Sequence, residues 1–200
     1  MRVSCRSIAL IMLSLALASC DCPSLLAGEP LHLIKSAVEK GIQVLKDPQL
    51  KSSDKKKERV ERLKEIINPL FDYEEMARRT MGSHWRRFTP AEQQEFYSLF
   101  RGFLEKIYSD KLDFFNSQRV IFSREAIEQD YAQVESTVID TKGAESPVVY
   151  RLKRTDGKWK VYDAVVENIS IINNYRSQFD RVISKSSFDE LKKMLKEKAE

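Results

Sequence analysis

Few residues in this 200-residue chain are of types that perform chemistry, and those few are scattered. The three cysteines, Cys5, Cys20 and Cys22, all precede Ala27. The two histidines are His32 and His84. His84 sits in Gly82-Ser83-His84-Trp85-Arg86-Arg87, and no acid stands at helical spacing from it. A histidine base needs such an orienting partner, so a structural hydrogen bond is the expectation. Asp72, Glu74 and Glu75 crowd together, but no glycine-turn loop of the calcium-binding kind surrounds them. They read instead as acids in the first turn of a helix, where the dipole favours them. No spacing suited to a metal and no phosphate-cradling glycine loop occurs. Asp163 is the acid of most interest, because Trp159-Lys160-Val161-Tyr162-Asp163-Ala164-Val165-Val166 is otherwise an apolar strand. A carboxylate half-buried there needs a partner. It could act as a base together with His84, which would make the chain an enzyme. The favoured expectation is an ion pair, Asp163 with Arg176, since no second acid–base group accompanies it.

The elements that would position these groups begin after an export leader. Arg2 and Arg6 precede the apolar run Ile8 to Ala18. That run is shorter than the roughly 20 residues of a spanning helix and suits a signal sequence. Two processing sites are open. Leu17-Ala18-Ser19-Cys20 reads as a lipobox, with Cys20 the lipidated residue of a tethered lipoprotein. Leu25-Leu26-Ala27 before Gly28 reads as an ordinary cut. The latter leaves a thiol-free chain that needs no disulfide handling in an oxidising compartment. Residues 1–27 are thus expected to be the leader and residues 28–200 a single domain. The net charge of +4 is no footprint for nucleic acid.

Leu31, Ile34, Val38, Ile42 and Leu45 recur at helical spacing, and Asp47-Pro48 ends that helix. Val60, Leu63, Ile66, Ile67 and Leu70 mark a second helix whose solvated start is Lys51 to Lys57. A short helix follows Asp72 and stops at Gly82. Thr89-Pro90-Ala91-Glu92 is a capping box with proline at the first helical position. Behind it Phe96, Leu99, Phe100, Phe103, Leu104, Ile107 and Tyr108 form an aromatic-heavy stripe. Residues 119–127, 130–140, 146–154 and 158–167 read as four antiparallel strands, with a hairpin turn at Asp156-Gly157. Ile169, Ile172, Tyr175, Phe179 and Ile183 then return to helical spacing, and a last amphipathic helix carries Phe188, Leu191, Met194 and Leu195. The fold class is α+β.

Three blocks together resemble the MlaC family of periplasmic phospholipid-binding proteins, also called toluene-tolerance proteins. They are Gly157-Lys158-Trp159-Lys160-Val161-Tyr162-Asp163, Glu167-Asn168-Ile169-Ser170-Ile171-Ile172, and Asn174 to Phe179. Phe71 to Arg78, Gly82, Trp85, Thr89 to Gln93 and Phe96 to Phe100 agree with the same family. Members commonly carry glycine where this chain has Asn168, which implies a positive-φ position that asparagine tolerates. The resemblance implies helices packed on a curved four-stranded antiparallel sheet, a cone of the nuclear-transport-factor type with an apolar cavity. It implies a carrier with no cofactor and phospholipid as cargo, shuttling between an inner-membrane ABC transporter complex, including its substrate-binding-type subunit, and an outer-membrane lipoprotein complex. That traffic would maintain outer-membrane asymmetry. The alternatives are the enzyme already described and a tethered adaptor that carries nothing. Candidate lipid-binding residues are Phe96, Phe100, Phe103, Leu104 and Tyr108 on the long helix, with Val149, Val161, Val165, Ile169 and Ile172 from the sheet and the return helix. A diacyl lipid hides about 30 methylenes, worth on the order of 20 kcal/mol, so a deep pocket is required.

Overall fold

A computed structural model describes residues 28–110 and 119–199. The leader, both candidate cut sites and Cys20 lie outside the described residues. Helix α1 (Glu29–Lys46) has proline in its first turn and ends at Asp47, whose carboxylate accepts from Gln49 N–H and starts a 3₁₀ turn. Helix α2 (Lys56–Ile67) follows a second 3₁₀ turn. Asp72 caps α3 (Tyr73–Met81) by accepting from the Glu75 N–H at 3.0 Å, so the acids at 72–75 are helix-start residues. The capping box closes as its residue types require: Thr89 N–H donates to Glu92, and Glu92 N–H donates back to the Thr89 hydroxyl. Helix α4 (Pro90–Asp110) runs from it.

Strands β1 (Arg119–Glu128), β2 (Tyr131–Ile139), β3 (Glu145–Thr155) and β4 (Lys158–Val166) form an antiparallel meander. The β3–β4 turn places Asp156 at φ 50° and Gly157 at φ 72°, the paired left-handed geometry of a two-residue hairpin. The expectation of four strands needs a correction. Glu167 and Asn168, at φ 50° and 66°, make another such turn, and Ile169–Ser170 return along β4 as a fifth strand, β5. Ile169 therefore precedes the return helix. Helix α5 (Ile171–Lys185) starts after it, capped by Ser170, and α6 (Phe188–Ala199) closes the described chain.

The sheet separates two apolar regions. On one face Ala132, Val134, Leu152, Trp159 and Val161 pack with Ile34 of α1. The other face carries Arg151 and Asp163, and the first turn of α5 abuts it. Helices α3 to α6 hold their own core there, built on Met76, Phe96, Phe100, Phe179 and Leu191. The chain crosses between the two layers at residues 68–72. Phe71 pairs with Val161 along β4, Asp72 N–H donates to Val161 carbonyl, and the Phe71 ring packs into both regions.

Candidate functional site

Two hydrogen bonds pin the first turn of α1 to the sheet. Trp159 Nε1 donates to Glu29 at 3.1 Å, and the Leu31 N–H donates to Glu125 at 2.7 Å. Farther along, Ile34, Val38, Ile42 and Leu45 face the sheet, with Ala37 and Gly41 among them. Residues four apart share a helix face, so these two small residues leave adjacent gaps in the wall. Leu63 and Ile67 of α2 close one side, Leu70 and Phe71 another, and the strands contribute Val120, Val138, Tyr150 and Val161. The result is an apolar cavity of about 290 Å³, partly open to solvent. Among the described residues that line it, only Tyr150 has a side chain with a polar atom. Burial pushes the Tyr150 phenol above its ordinary pKa, and a hydrogen bond with Ser136 acts weakly the other way. The phenol therefore stays neutral and able to donate. No metal-holding group of three or more His, Cys, Asp or Glu side chains occurs among the described residues. Nor, among those residues, is any helix long and apolar enough to cross a membrane.

Of the residues expected to line such a cavity, Val161 does. Phe96, Phe100, Phe103 and Leu104 are buried in the helical core instead. Phe96 and Phe100 stack at 5.6 Å, and Phe179 of α5 meets both edge-on at 5.9 and 6.1 Å. Phe188 and Trp85 approach Phe96 as well, so rings from other elements fill the space that the stripe would have walled. Ile172 belongs to that core too. Val149 and Val165 are cross-strand partners on the sheet face turned away from Tyr150. Ile169 is 61% exposed on β5. The Tyr108 side chain lies outside the described residues.

The expected pair of Asp163 and Arg176 is also corrected. Asp163 is buried and accepts from Arg151 Nη1 at 3.1 Å, the Ser170 hydroxyl at 2.7 Å and the Ile172 N–H at 3.1 Å. A bulge in β4 sets Asp163 opposite Arg151 in the ladder. Arg176 instead donates from Nε to the Arg79 carbonyl at 2.8 Å, which closes the end of α3 over Gly82. His84 meets Asp180 at 2.8 Å. Asp163 and His84 are thus bonded to different partners, and neither lines the cavity. The face of α1 with Ala37 and Gly41 is the part of the site that sequence reasoning passed over as plain core. Its signal was two small residues, four apart, inside an aliphatic stripe.

The family profile described as MlaC protein matches residues 35–197. The chain belongs to the MlaC family. The matched stretch includes all of the cavity wall except Ile34. The toluene tolerance protein ttg2D of Pseudomonas putida is 29% identical over 129 residues, 64% of this chain. The intermembrane phospholipid transport system binding protein MlaC of Haemophilus influenzae is 21% identical over 128 residues, 62% of this chain. Each match spans 60% of the relative's own length. Among solved structures, the phospholipid-binding protein from Ralstonia solanacearum, determined in complex with a phospholipid, superposes with a TM-score of 0.71. It is 28% identical, and the superposition covers 84% of this chain and 94% of that one.

Proposed function

We propose that this MlaC-family chain is a periplasmic phospholipid carrier. In this reading the acyl tails lie between α1, α2 and the sheet, and the head group stays in solvent. The observation that carries the reading is the wall of the cavity, which among the described residues is apolar but for one hydroxyl, in a chain whose solved relative holds a phospholipid. Such a wall suits acyl chains, which gain about 0.8 kcal/mol per buried methylene and need no polar partners. A volume of about 290 Å³ stands at the lower edge of ligand pockets, roughly 300–1,000 Å³. Full loading therefore requires the α1–α2 pair to move outward from the sheet, which closes into the expected cone around the tails. The carrier would take lipid between an inner-membrane ABC transporter complex and an outer-membrane complex and so sustain outer-membrane asymmetry. Its work is binding and release, with no covalent step.

Lipid mass spectrometry on natively purified protein, followed by uptake from liposomes, tests this. Intact phospholipid, about one per chain, is the expected result. Protein that is consistently lipid-free and takes up none from liposomes would overturn it.

A further inference from the structure

Among the described residues, Tyr150 brings the one hydroxyl into the apolar wall. Its inner-face neighbours Val134, Leu152 and Val161 pack without polar groups, and a buried hydroxyl pair contributes little over two apolar groups of the same shape. Ser136, 3% exposed, is its companion, a diagonal neighbour across β2 and β3 on the same face. Ser136 is itself loosely engaged, reaching the Val148 carbonyl at 3.4 Å. The Tyr150 ring keeps accessible surface because it borders the cavity. Among the described residues no cation lines the wall, so these side chains offer no charge to a phosphate. A phospholipid that puts its tails here brings in a single kind of polar group, the ester carbonyls at the head of the acyl chains. Those accept hydrogen bonds and donate none. Buried without a donor, each would be costly.

Resting on the carrier reading above, we infer that the Tyr150 hydroxyl, with Ser136 behind it, donates to an ester carbonyl of the cargo and selects ester-linked lipids over their alkyl-ether counterparts. Tyr150 is then a specificity-determining residue in an otherwise indifferent pocket. Ser136 is a positioning residue that holds the phenol when the cavity is empty.

The test offers natively purified protein vesicles of equal parts diacyl and dialkyl-ether phosphatidylethanolamine with matched chains, and reads the bound ratio by mass spectrometry. Wild-type protein should enrich the diacyl form about five-fold, the effect of one neutral hydrogen bond. Tyr150→Phe should bring the ratio close to one while total bound lipid stays measurable. Ser136→Ala should lower the enrichment part of the way, because the phenol loses the partner that orients it. Equal uptake by the wild type, or enrichment that survives in Tyr150→Phe, overturns the inference. Should Tyr150→Phe not fold, the wild-type ratio alone decides, because a ratio near one refutes a carbonyl donor. Wild-type protein that binds neither lipid refutes the carrier reading itself, and this inference with it.

Discussion

The helical core and the sheet-side cavity are both built from apolar side chains and end in opposite states. In the core, Phe96, Phe100 and Phe179 present flat rings from two helices that stack and meet edge-on. Rings of this kind fill each other's gaps. In the cavity, branched aliphatic side chains on α1 alternate with Ala37 and Gly41. Leu63 of α2 comes to 3.7 Å from the place a methyl group on Gly41 would take, yet space of about 290 Å³ remains along the wall. The lesson is that hydrophobic load does not distinguish a packed region from a receptive one. The distinction lies in whether the opposing elements bring complementary volume.

That contrast can be broken most forcefully in the core. Phe100→Ala should cost about 3–5 kcal/mol in thermal or denaturant unfolding, with lipid bound per folded molecule unchanged. Lost lipid in the folded variant would mean that the aromatic stripe does line the site. The joint between the layers comes next. Glu75 is buried beneath Arg78, Arg79 and Lys153, at 2.7, 2.8 and 3.6 Å. Burial alone would raise its pKa, but the hydrogen bonds from Arg78 and Arg79 outweigh that and hold it below the ordinary carboxylate value. Its contribution is therefore full above the unfolded value, near 4.3, and is lost as acid protonates it in the fold below that. Glu75→Gln should cost about 2 kcal/mol at neutral pH and should flatten the loss of stability on acidification below about pH 4.

The cavity side should respond in the other register. Val38→Asp faces a space already open to water and should cost about 1 kcal/mol of stability while abolishing co-purified lipid. A variant that keeps its lipid would remove α1 from the wall. Gly41→Ala is the mildest probe. Its added methyl would sit 3.7 Å from Leu63, an ordinary contact, and alanine favours helix over glycine by about 1 kcal/mol. The protein should become slightly more stable and should hold shorter or fewer acyl chains, read as a shift in the mass spectrum of bound lipid.

Much of the fold was legible because its signals are local. The capping box at Thr89, the turn at Asp156-Gly157 and the breaks at Asp47-Pro48 and Gly82 each act over four residues or fewer, and the structure keeps all of them. The left-handed geometry expected at Asn168 is there as well, although it turns the chain into a short strand before the helix. The site was less legible because its determinants are non-local. The partner of Asp163 depends on one bulged residue in β4, which moves the carboxylate opposite Arg151, and periodicity does not register a one-residue insertion. The function of the Phe96–Leu104 stripe depends on α5 and α6, more than 70 residues later, arriving with rings of their own. The α1 face resembled any buried helix face, and only the shape of what lies opposite makes it a wall.

Ala37, Val38, Gly41 and Ile42 border the cavity without being fully buried, so replacements there disturb fewer contacts than replacements of the buried Ile34 and Leu45 or of the stacked phenylalanines. Selection can therefore act on cargo range through these four positions of α1 with less effect on folding. A lineage facing membranes of different chain length could adjust by drift along one helix and leave the rest of the molecule alone.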